Sequence, residues 1–165
     1  MKNKILVILV ISIIFGFATG YSLHHFVHSS RFPEEQIILM PEHPFYLIEE
    51  VNEEVLYNTL KHYNFPSPAI ITAQAVLESG NFKSRLCKNN NNLFGLYDSK
   101  TMSYFKFDSW ISCVFAYKQF ILNRYDPKED YYKFLNRIGY AEDSLYESKV
   151  KKLELEIINK YGSPD

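Results

Sequence analysis

Near the middle of this 165-residue chain stands the stretch Ala73-Gln74-Ala75-Val76-Leu77-Glu78-Ser79-Gly80. It continues an apolar run that starts at Ser67, a good N-cap, and Pro68, a good first helical residue. Gly80 suits the position just after a helix, where the backbone often becomes left-handed. The sequence therefore predicts a helix over residues 69–79.

Glu78 lies in the last turn of this predicted helix, on the same face as Ile71 and Ala75. Burial beside apolar residues raises the pKa of a carboxyl group, and so does the negative end of a helix. A carboxyl that stays protonated near neutral pH is what a glycosidase needs to protonate a leaving oxygen. The residues alone leave open an exposed Glu78 that only solvates the helix end.

Further helices are predicted on both sides of this one. Asn52 can cap a helix that runs to about His62. Asp108 or Ser109 can cap another over residues 110–123. Apolar residues cover most of the circumference of that third helix, so we expect it to be the central buried helix.

The C-terminal part is also predicted to be helical. A short helix covers residues 130–137 and ends at Gly139. Ser144 and Glu147 form a predicted capping box for a last helix, which ends at Gly162. The apolar stripe of this last helix consists of Tyr146, Val150, Leu153 and Ile157.

A polar loop and a hairpin interrupt the helices. The loop is centred on Asn89–Asn92, and two short strands over residues 93–97 and 102–107 flank a turn at residues 98–101. The predicted fold is therefore mainly α, of the α+β class: a helical domain with one small inserted β-hairpin, preceded by an apolar N-terminal helix. A polar groove between the helices and the hairpin would suit a polymer substrate.

The N-terminal 23 residues carry a localisation signal. Lys2 and Lys4 precede an apolar run from Ile5 to Phe17, which is typical of a signal peptide. Counted on to Leu23, the run is 19 residues long and could instead anchor the chain in a membrane. Both alternatives predict export to the periplasm or cell envelope, with a linker over residues 24–44 and a folded domain over residues 45–165.

Composition excludes several classes of function. The net charge of −1, or −3 without Lys2 and Lys4, argues against nucleic acid as a partner. Zinc-type Cys/His spacing and a phosphate-binding glycine loop are both missing, so neither a metal nor an organic cofactor is expected. Cys87 and Cys113 are the only cysteines, and a disulfide and two buried thiols are equally open. We expect a monomer.

The stretch at residues 73–80, together with Asn91-Asn92-Leu93-Phe94-Gly95-Leu96, resembles the glucosaminidase domain of FlgJ-type flagellar muramidases and bacterial autolysins, glycoside hydrolase family 73. The resemblance continues through Phe107-Asp108-Ser109-Trp110 and Tyr140-Ala141-Glu142-Asp143, and covers about residues 51–161. It implies a lysozyme-like fold and an endo-β-N-acetylglucosaminidase that acts on peptidoglycan glycan strands.

By position, the resemblance makes Glu78 the catalytic glutamate and Tyr140 a tyrosine that lines the active site. Asn92 and Phe94 match the loop at the floor of the groove, where an amide can bind an N-acetyl group and a ring can face a sugar. The candidate substrate-binding residues are Gln74, Asn91, Asn92, Phe94, Tyr97 and Tyr104. A core tyrosine, a turn asparagine and a hairpin core residue remain the alternatives for Tyr140, Asn92 and Phe94.

The chain departs from the family in one place. Many members carry a second acid on a longer hairpin, which is short here, and Asp98 is the nearest candidate for that acid. With Glu78 as the one sure acid, we hypothesise that the 2-acetamido group of the substrate serves as nucleophile. A lytic transglycosylase and a cell-wall-binding domain without catalysis are the alternative functions.

Overall fold

The structure is a computed structural model, and it describes residues 50–162 of the chain. The predicted signal at residues 1–23 and linker at residues 24–44 lie outside the described residues. Between residues 50 and 162 the chain forms helices, one antiparallel hairpin and a 3₁₀ turn: α1 (Glu53–His62), α2 (Pro68–Glu78), α3 (Arg85–Asn90), β1 (Tyr97–Asp98), β2 (Ser103–Tyr104), α4 (Trp110–Phe120), the 3₁₀ turn (Leu122–Arg124), α5 (Tyr131–Arg137) and α6 (Tyr146–Tyr161). The predicted class, mainly helical with a small hairpin, is confirmed.

Helix α2 forms the centre of the domain, packed against α1 and α6. Every residue from Pro68 to Val76 is buried. The sequence predicts α4 as the central buried helix, but α2 occupies that position and α4 exposes Lys118 on its outer side. The difference has a steric cause, because Ala69, Ala73 and Ala75 let neighbouring elements approach α2 closely from several directions.

Most helix ends follow the predicted capping residues. The amide of Val55 donates to the side chain of Asn52 at 2.9 Å, and the amide of Ser112 donates to Ser109 Oγ at 3.1 Å, so Ser109 rather than Asp108 caps α4. Ser67 occupies the N-cap position of α2 but makes no side-chain capping bond within the described chain. Its backbone is left-handed, with φ of 47°, whereas a capping serine needs an extended backbone.

The predicted capping box of α6 is wrong. The Asp143 carboxylate accepts a hydrogen bond from the Leu145 amide at 2.8 Å, and this places Leu145 at the N-cap and the exposed Ser144 outside the helix. Glu147 instead pairs with Lys151 at 2.6 Å. The predicted apolar stripe is confirmed, because Tyr146, Val150 and Ile157 are buried and Leu153 is half-buried.

The polar loop is shorter than predicted. Asn89 and Asn90 belong to α3, which Ser84 caps, and Asn91 ends that helix with a left-handed backbone. The hairpin is confirmed, but its strands are only two residues long, and Asp98 pairs with Ser103 inside the ladder instead of starting the turn. Neighbouring hydrogen bonds, such as Phe105 N to Leu96 O at 3.0 Å, extend the pairing beyond the strands.

Cys87 and Cys113 are both buried free thiols, so this structure has the two thiols and not the disulfide. Burial raises the pKa of Cys113 to about 12, which keeps the thiol protonated and unreactive. The sulfur of Cys113 accepts a hydrogen bond from the Leu93 amide at 3.3 Å. Cys113 therefore helps to attach the segment before the hairpin to α4.

Candidate active site

The end of α2 is held by a tight left-handed turn. The Asn81 amide donates to Val76 O at 2.8 Å and the Gly80 amide to Leu77 O at 3.4 Å, the paired bonds of a Schellman motif. Gly80, Asn81 and Phe82 have φ of 59°, 56° and 61° in succession. The chain therefore leaves the helix sharply, immediately after Glu78.

Ser79 stabilises this turn. Its hydroxyl donates to Ala75 O at 2.6 Å and accepts from the Phe82 amide at 2.8 Å. Left-handed backbone is unfavourable for a bulky residue such as Phe82, so the turn depends on these bonds. The result is a fixed position for Glu78 in the last turn of α2.

The Glu78 carboxyl lies between the helices and the hairpin. A Cβ atom added to Gly95, in the hairpin segment, would lie 4.0 Å from Glu78 Oε2. Burial raises the pKa of Glu78 to about 8, and a hydrogen bond from Tyr146 opposes part of that rise. The predicted upward shift in pKa is confirmed, and the carboxyl is mainly protonated at neutral pH.

Three buried tyrosines lie beside this carboxyl, Tyr117 on α4, Tyr146 on α6 and Tyr140 in the segment before α6, and a fourth, Tyr131 on α5, lies behind Tyr117. The hydroxyl groups of Tyr117 and Tyr131 lie 3.1 Å apart. Burial raises the pKa of all four phenols above the usual range, so they are neutral hydrogen-bonding groups.

Tyr140 belongs to this cluster and faces Glu78 from within the core. Its ring centroid lies 6.2 Å from that of Tyr117 and 5.7 Å from that of Tyr146. Burial raises the pKa of its hydroxyl, and the charges of Tyr117, Tyr146 and an ionised Glu78 would raise it further. Tyr140 is thus adjacent to the candidate acid, and its contact with substrate stays a prediction.

Gln74 lies beneath the site and has no exposed surface. Its Nε2 donates to the Tyr146 hydroxyl at 3.1 Å, and its Oε1 accepts from the Tyr117 hydroxyl at 3.0 Å. The amide is therefore engaged at both ends by the protein itself, and the predicted contact with substrate has no support in this arrangement.

Asn92 is buried and organises the start of the hairpin. Its Nδ2 donates to Leu96 O at 2.8 Å and to Phe105 O at 3.0 Å, and its Oδ1 accepts from the Leu96 amide at 2.8 Å. Asn91 Nδ2 donates to Phe107 O at 2.9 Å. Both amides are used inside the protein, which favours the turn alternative for Asn92.

The aromatic candidates differ in exposure. Phe94 is buried and stacks on Tyr117 with ring centroids 4.2 Å apart, so it supports the site from behind, as in the hairpin-core alternative. Tyr97 and Tyr104 form a cross-strand pair at 5.2 Å, and Tyr104 is 42% exposed. These two tyrosines are the predicted substrate-binding rings that reach the surface.

Asp98 is bound into the hairpin turn. Its Oδ1 accepts from the Lys100 amide and its Oδ2 from the Thr101 hydroxyl, both at 2.9 Å. The hydrogen bond from Lys100, with that from Thr101, holds the pKa of Asp98 below its usual range. Asp98 is therefore ionised near neutral pH, and from the end of β1 its side chain stabilises the turn that follows.

The profile of the glucosaminidase family, described as mannosyl-glycoprotein endo-beta-N-acetylglucosaminidase, matches residues 54–162. The chain belongs to this family. No curated protein and no solved structure is significantly similar to the chain. The match runs from the first turn of α1 to the glycine that ends α6, so it includes Glu78, the tyrosine cluster and the hairpin. Membership supports a glycoside hydrolase with peptidoglycan hydrolysis as its broad activity.

Two residues of the glucosaminidase site were not predicted from sequence. The sequence places Tyr146 only in the apolar stripe of α6 and gives Tyr117 no role in the site, yet their hydroxyl groups contact Glu78 and Gln74 respectively. A tyrosine in a buried stripe is the available signal, since a buried phenol needs a hydrogen-bond partner. Among residues 50–162 no cluster of three His, Cys, Asp or Glu side chains could hold a metal ion.

Replacing Asn92 by Ala should destabilise the glucosaminidase domain by about 3 kcal/mol. Four hydrogen bonds are lost, three to the backbone and one from the Cys113 thiol, and the backbone groups of Leu96 and Phe105 lose their partner. Urea denaturation of the variant measures the change in the free energy of unfolding. The exposed Asn89→Ala is the matched control and should change it by less than about 0.5 kcal/mol. Equal values for the two variants would contradict the role given to Asn92.

Proposed function

We propose that this domain hydrolyses the β-1,4 bond that follows N-acetylglucosamine in peptidoglycan, with Glu78 as the general acid. The observation that carries the proposal is the half-buried Glu78 side chain, whose carboxyl faces Gly95 of the hairpin segment and has its pKa raised to about 8 by burial. A general acid works best when its pKa lies near the working pH, because it is then protonated and still able to release its proton.

The acid acts on the leaving oxygen. Protonated Glu78 donates its proton to the glycosidic oxygen while the bond between that oxygen and C1 breaks, and the carboxylate is left behind. In the second half of the reaction the carboxylate takes a proton from water, which attacks C1. Glu78 thereby returns to its protonated form, and no metal or organic cofactor takes part.

The 2-acetamido group of the substrate supplies the nucleophile in this proposal. Its carbonyl oxygen attacks C1 as the leaving oxygen departs, and the incoming water later opens the resulting ring. Asp98 is less suited to that role, because both of its carboxylate oxygens accept hydrogen bonds within the turn. Those bonds would be lost if Asp98 reached into the groove.

One altered substrate and one protein variant distinguish a nucleophile supplied by the substrate from one supplied by the protein. A peptidoglycan with deacetylated glucosamine should be cleaved at least about 100-fold more slowly, since its amine cannot form the ring. Asp98→Asn should slow cleavage of the acetylated polymer less than about 10-fold, because its main loss is turn stability. An inactive Asp98→Asn variant that still folds would assign the second catalytic group to Asp98.

Glycan strands would lie along the hairpin side of Glu78. The exposed Tyr104 and its partner Tyr97 offer flat apolar rings with polar hydroxyl groups, and such rings suit the faces of sugars. Among the predicted substrate contacts these two rings are the best supported, because they reach the surface whereas Gln74, Asn92 and Phe94 are buried.

Digestion of purified peptidoglycan by the full chain tests the activity. Mass spectrometry of the products should show new reducing N-acetylglucosamine ends. New 1,6-anhydro-muramic ends would instead identify a lytic transglycosylase. Binding to peptidoglycan without any new ends would identify a wall-binding domain and overturn the proposal.

Export is part of the proposal, because peptidoglycan lies outside the cytoplasm. The support is the order of charges and apolar residues over residues 1–23. Between residues 50 and 162, no helix has the length and apolar character needed to cross a membrane. Fractionation of cells that express the full chain should recover it in the envelope or outside the cell, and a cytoplasmic protein would contradict this step.

A further inference from the structure

The described helices meet in a row of buried hydrogen bonds behind Glu78. Tyr131 from α5, Tyr117 from α4, Gln74 from α2 and Tyr146 from α6 follow one another in that row. Tyr146 is in turn hydrogen-bonded to the Glu78 carboxyl. The side chains that face Glu78 in this way are all phenols or amides.

The Gln74 amide is oriented with Oε1 towards Tyr117 and Nε2 towards Tyr146, and this orientation sets the direction of each bond in the row. The single proton of Tyr117 goes to Gln74 Oε1 at 3.0 Å, so the other end of the amide, Nε2, donates to Tyr146 at 3.1 Å. The oxygen of Tyr146 is thereby occupied as an acceptor. Its proton remains for Glu78, and Tyr131 must donate to Tyr117.

The Gln74 amide suits this task. It offers an acceptor to Tyr117 and a donor to Tyr146 at the same time, whereas an apolar side chain offers neither and a carboxylate offers no donor. Gln74 has no exposed surface, so both roles are performed inside the core. The row ends at the buried Tyr131, so it orients hydrogen bonds and does not lead protons to solvent.

We infer that Gln74 is a positioning residue that keeps the Tyr146 hydroxyl aimed as a donor at the Glu78 carboxyl. The inference deepens the proposed function, on which its catalytic meaning rests. A donor to the carboxylate stabilises the charged form that follows proton transfer, and this makes the acid easier to ionise. The other titratable groups that face Glu78 are Tyr117 from α4 and Tyr140 from the segment before α6, and both stay neutral.

The direct test is a carbon-13 NMR titration of the Glu78 carboxyl in the full chain. Tyr146→Phe removes the donor and should raise the pKa of Glu78 by about one pH unit. Gln74→Leu should also raise the pKa of Glu78, but by a smaller amount. The double variant should match Tyr146→Phe alone, because Gln74 acts only through Tyr146.

Thr72→Val is the matched control for these variants. Thr72 is a fully buried polar residue of the same helix, and valine keeps its shape, so the pKa of Glu78 should remain at the wild-type value. An unchanged pKa in Gln74→Leu, or an effect of Gln74→Leu that adds fully to that of Tyr146→Phe, would overturn the inference.

A second variant covers the case in which Gln74→Leu does not fold. Tyr117→Phe keeps the ring stacked on Phe94 and removes only the hydroxyl that orients the amide, so it should also raise the pKa of Glu78. An unchanged pKa in this variant would count against the inference. The titration does not require activity, so an inactive wild-type protein would overturn the proposed function and leave this result readable.

Discussion

Replacing Glu78 by Gln is expected to lower the rate of peptidoglycan hydrolysis by about 10³-fold. Glutamine keeps the shape of the side chain and can still accept from Tyr146, but it has no acidic proton to give to the leaving oxygen. The release of new reducing ends from purified peptidoglycan measures the rate. Binding to insoluble peptidoglycan should be retained, because the proton is needed for bond cleavage only.

Glu156→Gln is the control for this change. Glu156 is exposed on α6, so the same chemical substitution should leave hydrolysis unchanged. A Glu78→Gln variant that keeps more than about a tenth of the wild-type rate would contradict the role of general acid. A wild-type protein that binds without cutting would instead point to the wall-binding alternative.

The sequence predicts a helix end correctly where the capping residue and the group that it binds are only a few positions apart. Asn52 caps α1 through an amide three residues away, and Gly80, Gly139 and Gly162 take the positive φ values that end or follow helices. These interactions depend on a few neighbouring residues, so sequence suffices to find them. The same locality explains the error at α6, where Asp143 and Ser144 compete and a one-residue shift decides the cap.

Helix α3 could not be predicted in the same way. It has six residues and ends in two asparagines, a composition that favours turns. A helix of this length is unstable by itself, so tertiary contacts must support it. Its buried Cys87 and the bond from Phe107 N to Asn90 O at 2.9 Å supply such contacts.

The environment of Glu78 was predictable only in part. Its apolar neighbours lie on its own helix, and this was enough to predict a raised pKa. Tyr146 lies 72 positions from Gln74, and the periodicity of α6 indicates that Tyr146 is buried without indicating which group it faces. For the same reason the sequence does not indicate that Gln74, a predicted substrate contact, is buried and hydrogen-bonded to Tyr117 and Tyr146.

The stability of the domain should fall as the pH rises from about 4.5 to about 8, the interval between the unfolded and folded pKa values of Glu78. In the unfolded chain this glutamate loses its proton at its ordinary pKa, whereas the folded protein holds it to about pH 8. The folded state therefore binds more protons in this interval. Raising the pH must favour unfolding, by up to about 5 kcal/mol once the pH exceeds the folded pKa.

Other shifted groups act mostly outside this interval. Asp98, Glu129 and Glu147 have lowered pKa values, so their contributions are lost in more acidic solution, and the buried tyrosines titrate in more alkaline solution. The slope between about pH 5 and about pH 8 is therefore assigned to Glu78. A change of about 5 kcal/mol in the free energy of unfolding is large, because a typical domain is stabilised by only about 5–15 kcal/mol in total.

Urea denaturation of wild type and Glu78→Gln at about pH 5, 7 and 9 measures this effect. The glutamine does not titrate, so the variant should gain stability relative to wild type as the pH rises, and most of the gain should appear below about pH 8. Glu156→Gln should keep the wild-type slope, because that carboxyl is exposed. Parallel profiles for wild type and Glu78→Gln would mean that the folded protein does not hold the Glu78 proton, and such a carboxyl would be ionised at neutral pH and unable to act as the acid.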